Sequence, residues 1–157
     1  MNVTKATLQI TLANYWHTGT GSGEGTRVDA LIHRDPSGLP ELPGRTLHGL
    51  LRDAVRLWET DGGYGNREDV ATTLFGKEGN DGNGLLRVST ARLPVNDRAK
   101  LSTDEEMKQA LFHTLQSTAM DAGTGTALNE TLRSMEMAVP MILEATLYPT
   151  RPAQTGH

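Results

Sequence analysis

Arginine is the residue type in this sequence whose placement is best suited to contact with phosphate. Residues 27–56 contain five arginines and four carboxylates, a net charge of +1, whereas the rest of the chain has 10 basic and 15 acidic side chains, a net charge of −5. The planar guanidinium presents forked donors that match phosphate oxygens. Two interpretations remain open from these residues alone, a phosphate-contacting surface and ordinary solvated arginines. The five are Arg27, Arg34, Arg45, Arg52 and Arg56.

A glycine-rich run occupies residues 19–25, where every second residue is glycine. Such a backbone is too permissive for regular structure. It is either a linker or a loop whose main-chain N–H groups wrap a phosphate. The run does not match the dinucleotide-binding fingerprint, and the sequence has no P-loop, no His-Glu-x-x-His helix and no Gly-x-Ser-x-Gly elbow. Without cysteine, and with five histidines at no ligand-like spacing, a zinc site is not expected.

Composition narrows the class of protein. The 157 residues suit one domain, and 36% hydrophobic residues supply a lean core. No stretch approaches the ~20 apolar residues of a membrane span, so we expect no membrane association and a cytoplasmic location. The absence of cysteine fits a reducing compartment. The net charge of −4 argues against a protein that binds nucleic acid alone through counterion release.

Apolar periodicity predicts the elements that position these residues. Alternation at period two predicts a first strand, and a stripe from Leu47 to Trp58 predicts a core-facing helix with Thr46 as its N-cap. We expect a surface excursion from Pro94 to Lys100, and Pro140 marks an edge position or a bulge in the last strand. This order of elements predicts an α+β fold. The predicted strands are 3–13, a short one at 27–33, 85–93 and 135–147, and the predicted helices are 46–59, 67–74 and one that starts at 102–106 and includes Leu115.

Three segments, 15–21, 28–30 and 34–52, taken in order, resemble the RAMP superfamily, whose members form the backbone of CRISPR effector complexes. The shared pattern is a His-x-Gly-x-Gly loop, then an Asp, then a Pro-Gly-Ser/Thr-Leu-Lys/His-Gly-x-x-Arg helix start. Later pieces at 74–93 and 117–136 resemble the family's Phe-Gly element and its thumb. The resemblance is greatest to the type III backbone subunits.

The resemblance implies a ferredoxin-like or RRM-like domain with helices on one face of an antiparallel sheet. We expect one such domain over residues 1–149, a thumb-like segment at about 114–134 and a disordered tail at 150–157. Family members usually continue with a further helix, a glycine loop and a strand. The chain is therefore expected to lack the usual C-terminal part.

The resemblance also implies the partners and the contact residues. The expected partners are guide RNA, complementary target RNA and other effector subunits repeated along the guide. The helix start would hold a phosphate at its backbone N–H groups, and Met120 on the thumb would wedge between bases. The implied RNA-binding residues are His17, Gly19, Gly21, Gly23, Arg27, Arg34, Arg45, Thr46, His48, Arg52 and Met120.

Asp29 is the catalytic residue that the resemblance implies. It would cut target RNA with a transient Mg²⁺ or Mn²⁺ ion, because magnesium keeps most of its waters and needs only one or two carboxylates. The attacking oxygen would be the 2′-hydroxyl of RNA. His17 and His33 are candidates for proton transfer, since histidine titrates near neutral pH. The alternatives are a non-catalytic scaffold, a fragment of a larger RAMP protein, and a metal-independent ribonuclease that processes guide RNA with His17 or His33 as general base.

Overall fold

A computed structural model describes residues 5–19, 31–77, 79, 84–120, 123–125 and 127–150. The side chains of residues 118–120 and 127–133 are outside this description. The elements are β1 (Ala6–Leu12), α1 (Gly44–Thr60), α2 (Val70–Phe75), β2 (Leu86–Val88), α3 (Val95–Leu101), α4 (Glu105–Ala110), β3 (Phe112–Met120), β4 (Ala127–Ala138) and β5 (Met141–Pro149).

The chain divides into two compact units. The first comprises Met1–Ile10, Leu42–Ala91 and Glu144–His157, and the second comprises Thr11–Glu41 and Arg92–Leu143. A three-stranded sheet has the order β1-β5-β2, and β3 and β4 form a separate two-stranded sheet. Both described pairs, β2 with β5 and β3 with β4, are antiparallel. Helices beside antiparallel strands confirm the predicted α+β class.

Helix α1 packs against α2 and β2 within the first unit. Its Glu59 carboxylate accepts hydrogen bonds from the backbone N–H groups of Val70, at 2.8 Å, and Ala71, at 3.3 Å. Those N–H groups belong to the first turn of α2, so Glu59 satisfies donors that the short helix cannot pair itself. The buried apolar side chains of this unit are Leu42, Leu47, Ala71, Phe75, Val88, Ala91 and Ala145.

The buried face of α1 differs from the predicted stripe. Leu47 is buried as predicted, but Leu50 and Trp58 are 56% and 58% exposed. His48 and Arg52 are buried in their place, and the His48 ring meets the edge of the Phe75 ring at 5.3 Å. The prediction that the whole stripe is core was wrong, because packing against α2 turns the helix toward the side that carries His48 and Arg52.

The second unit contains α3, α4, β3 and β4. Segment 94–100 was predicted to lie at the surface, and none of the residues of helix Val95–Leu101 is buried. Its helical conformation was not predicted, because the apolar periodicity that reveals a core-facing helix is missing. Asp104 caps α4 by accepting from the N–H of Met107 at 3.0 Å, and the predicted helix ends at Ala110, short of Leu115. The buried apolar side chains of this unit are Ile32, Leu39, Leu93, Ala138 and Leu143.

The predicted last strand is two strands. β4 ends at Ala138 and β5 begins at Met141, because Pro140 has no N–H to donate to a ladder. Met135, the first residue of the predicted strand, is 42% exposed. No described helix is both long and apolar enough to cross a membrane.

Candidate nucleic-acid interface

The residues on either side of segment 20–30 pair with each other. We call these residues, Thr18, Gly19, Ile32 and His33, the foot of the segment. Gly19 and Ile32 form an antiparallel bridge, and the N–H of His33 donates to the carbonyl of Thr18 at 2.7 Å. The segment between them lies outside the described residues, and with it four predicted site residues. The structure therefore describes the residues that flank the predicted loop but not the loop itself. The four are Gly21, Gly23, Arg27 and Asp29.

Glu136 of β4 contacts Ile32 of this foot and two residues next to it, His17 and Arg34. Its Oε2 accepts from Arg34 Nη2 at 2.7 Å, and its Oε1 lies 3.4 Å from the N–H of Ile32. Its backbone carbonyl accepts from His17 Nδ1 at 2.7 Å. The Glu136 side chain is only 13% exposed. Three predicted site features, His17, Arg34 and the end of the loop, thus converge on one residue.

Glu41 contacts two other residues of the foot, Thr18 and His33. Its Oε2 accepts from Arg92 Nε at 2.8 Å, its Oε1 lies 3.1 Å from His33 Nδ1, and its carbonyl accepts from Thr18 Oγ1 at 3.2 Å. The contact with His33 has the length of an ion pair and is not a hydrogen bond. Glu41 is buried, and each of its carboxylate oxygens faces a nitrogen of a basic side chain.

The Arg34 side chain is held in place by two contacts. In addition to its ion pair with Glu136, its guanidinium stacks over the Phe112 ring at 3.7 Å, a cation–π arrangement. Its side chain is still 40% exposed. It borders an open cavity of about 390 Å³ within the second unit. The lining residues are Arg34, Gly38, Glu105, Lys108, Gln109, Phe112, Thr114 and Glu136.

The N-terminus of α1 carries exposed polar groups. The helix begins at Gly44 with Pro43 as its N-cap, and no acidic residue lies in its first turn. The N–H of Gly44 donates to Thr90 Oγ1 at 3.2 Å. The prediction of Thr46 as the N-cap was wrong by several residues, because the carbonyl of Pro43 already accepts from the N–H of Leu47 at 3.0 Å. Arg45 and Thr46 are exposed. This end of the helix offers backbone donors and one guanidinium to solvent.

His48 and Arg52 lie on a different face from Arg45. His48 is 6% exposed and Arg52 is 8% exposed, and Arg52 Nε lies 3.5 Å from the Asp53 carboxylate. The predicted phosphate-contacting set on this helix is therefore split into an exposed pair, Arg45 with Thr46, and a buried pair. The role of the buried pair in RNA contact stays a prediction.

The predicted thumb falls within the β3–β4 hairpin. Phe112 pairs with Ala138 at its base, and the register shifts between Thr118 and Met120. The Met120 side chain lies outside the described side chains, so its role as a wedge stays a prediction. The described residues contain no group of three His, Asp or Glu side chains that could hold a metal ion.

A protein-family model for the RAMP superfamily matches residues 9–145. The chain belongs to the RAMP superfamily. A search of curated proteins finds no significant match. The comparison with known proteins therefore rests on the family model and on solved structures. The match covers the foot of segment 20–30, α1 and the β3–β4 hairpin of this RAMP protein.

Solved structures share the fold of this RAMP protein. A chain of the type III-B Cmr-beta complex bound to cognate target RNA, studied by cryo-EM, superposes with a TM-score of 0.76 at 11% identity, over 96% of this chain and 86% of that chain. A chain of the same complex in its apo state gives 0.69 at 12% identity, over 95% and 85%. The predicted RAMP fold is confirmed.

Sequence reasoning missed three residues of this RAMP site. Glu41, Arg92 and Phe112 have no motif spacing, since their partners are distant in the sequence, such as the 51 residues between Glu41 and Arg92. The available signal was the location of Glu41 two residues before Pro43 and Gly44. A glutamate there, between apolar residues that are now seen to be buried, required a cationic partner.

Proposed function

We propose that this RAMP protein is a guide-RNA-binding backbone subunit of a type III CRISPR ribonucleoprotein. The fold likeness to chains of a type III-B complex bound to target RNA supports the proposal. The single observation that carries it is the N-terminus of α1, where Arg45 and Thr46 are exposed and no acidic residue lies in the first turn.

Phosphate binding at this helix end follows from its charge and shape. The first-turn N–H groups that follow Gly44 and the helix dipole favour an anion, and the exposed Arg45 adds a forked donor. A Cβ added at Gly49 would meet nothing within 4 Å, so the surface one turn along is open to the close approach of an RNA backbone.

The net charge of −4 is compatible with this role when the subunit is repeated along one guide. A second contact on the same strand is intramolecular, so its effective concentration multiplies weak individual affinities. Guide and target would be recognised by shape and phosphates, as is usual for paired RNA. Other effector subunits would then be obligatory partners.

The proposal also includes the cleavage of target RNA, with Asp29 as the catalytic residue. Asp29 lies three residues before Ile32, whose bridge to Gly19 anchors the segment. Glu41 and Glu136 are already engaged by cationic side chains, so Asp29 and RNA oxygens would be the ligands of a Mg²⁺ or Mn²⁺ ion. The bound ion would supply stabilisation of charge on the scissile phosphate.

The test of the RNA-binding proposal is the nucleic acid that the protein carries after purification. The chain is expressed alone and with the products of its neighbouring genes, and bound RNA is measured by absorbance ratio and then sequenced. We expect guide-like RNA of stepped lengths in the co-expressed sample. Protein free of nucleic acid under both conditions would overturn the proposal and favour the fragment interpretation.

A further inference from the structure

His33 is held at the foot of segment 20–30 by two backbone hydrogen bonds. Its backbone N–H donates to Thr18, and its carbonyl accepts from the N–H of Glu41 at 3.2 Å. Its Nδ1 is buried, whereas 38% of its side chain is exposed. The ring therefore presents its other edge, with Nε2, to solvent.

The Glu41 carboxylate lies on the Nδ1 side of the His33 ring. Nδ1 is 3.1 Å from Glu41 Oε1, within the range of an ion pair when the ring carries a proton on both nitrogens. A proton taken up at Nε2 would therefore place an imidazolium beside a carboxylate, the arrangement of a histidine base and its orienting acid. Arg92 Nε donates to the other oxygen, Oε2, at 2.8 Å and holds the carboxylate in place.

His17 is the other histidine beside this foot. Its Nδ1 donates to the backbone carbonyl of Glu136 at 2.7 Å, whereas Nδ1 of His33 faces a carboxylate. Of the two, His33 has the partner that suits a proton-transfer histidine.

We propose that His33 is the general base of RNA cleavage, with Glu41 as its positioning residue. The inference rests on the proposed function. Nε2 takes the proton of the 2′-hydroxyl as the 2′-oxygen bonds to phosphorus. The bond from phosphorus to the 5′-oxygen breaks, and that oxygen takes a proton from water. The products are a 2′,3′-cyclic phosphate and a 5′-hydroxyl, and no oxidant or reductant is needed.

Single-turnover cleavage of labelled target RNA by the assembled complex tests this proposal over about pH 5 to 9. His33→Gln should slow cleavage by about 100-fold or more, leave target binding unchanged and remove the acid limb of the pH–rate profile. Glu41→Gln should slow cleavage by a smaller factor and keep the limb. The matched control is His113→Gln, an exposed histidine against Tyr15, which should match the wild type.

Several outcomes separate this inference from the proposed function. A His33→Gln complex that keeps the acid limb overturns the inference, whether its rate is normal or reduced, since a structural role does not remove a titration. An inactive Asp29→Asn complex beside a fully active His33→Gln complex overturns only the inference. A wild-type complex that never cleaves, or that yields a 3′-hydroxyl and a 5′-phosphate, overturns both the inference and the catalytic part of the function. Unfolding midpoints of the variants confirm that each is folded.

Discussion

Arg34 and Glu136 are 102 residues apart in the sequence, and their side chains meet at 2.7 Å. The pair links the chain that leaves segment 20–30 to strand β4. The same carboxylate faces the N–H of Ile32, so one residue of the hairpin fixes both the backbone and the arginine at the foot of the predicted RNA loop.

Replacing Glu136 with Gln should lower the free energy of unfolding by about 1–2 kcal/mol. The carboxylate is largely buried, but Arg34 is partly exposed and regains water, which limits the loss. Urea unfolding with an unchanged m-value is the measurement. The control is Glu105→Gln, whose side chain is 80% exposed beside Lys108 and should cost less than ~0.5 kcal/mol. Equal losses in the two variants would contradict this account.

Leu47→Ala and Leu50→Ala should differ strongly in stability although they lie one turn apart on α1. Leu47 is 4% exposed and Leu50 is 56% exposed. Truncation of a buried leucine costs about 2–5 kcal/mol, and an exposed one should cost less than ~1 kcal/mol. The measurement is the difference in free energy of unfolding. A larger loss for Leu50→Ala would restore the predicted stripe as the core.

Gly44→Ala and Gly49→Ala should change stability in opposite directions. A Cβ at Gly44 would lie 2.9 Å from the backbone of Val88 and Thr90, which cannot move freely, whereas a Cβ at Gly49 meets nothing. Alanine at 49 should stabilise α1 by up to about 1 kcal/mol, and alanine at 44 should destabilise the protein. Thermal unfolding gives the stabilities. RNA affinity that falls in the stabilised Gly49→Ala variant would place RNA at that surface, and unchanged affinity would contradict the contact.

The sequence predicted the elements whose signals are local and missed those that depend on packing. Helix α1 was predicted at 46–59 and observed at Gly44–Thr60, because its apolar periodicity is strong. Helix α3 has no buried residue, so periodicity could not reveal it. The orientation of α1 also escaped prediction, because a stripe that covers nearly half the helix fits more than one packing direction.

The candidate site shows the same division. Its motif residues were assigned from the resemblance of local segments to the RAMP superfamily. Glu41 and Arg92, in contrast, meet only after folding, because 51 residues separate them. The apolar neighbours of Glu41 indicate that it needs a cationic partner, but no local pattern indicates that this partner is Arg92.

Arg45→Gln should weaken binding of guide RNA by the assembled subunit and lower the salt dependence of binding by about one counterion. Arg45 is exposed in the first turn of α1, where the helix dipole favours phosphate. The measurement is the slope of log affinity against log salt. Arg56→Gln, exposed three turns along the same helix, is the control and should keep the slope. Identical slopes for both variants and the wild type would contradict a phosphate at this helix end.

Cleavage of a complementary target RNA by the complete complex, with wild-type protein or Asp29→Asn, tests the central claim most directly. The account predicts that Asp29→Asn abolishes cleavage while guide content and target binding stay intact. It also predicts that a chelator stops the wild type and that Asp97→Asn, exposed on α3, cleaves normally. Unchanged cleavage by Asp29→Asn, or cleavage that persists with chelator, would contradict the claim.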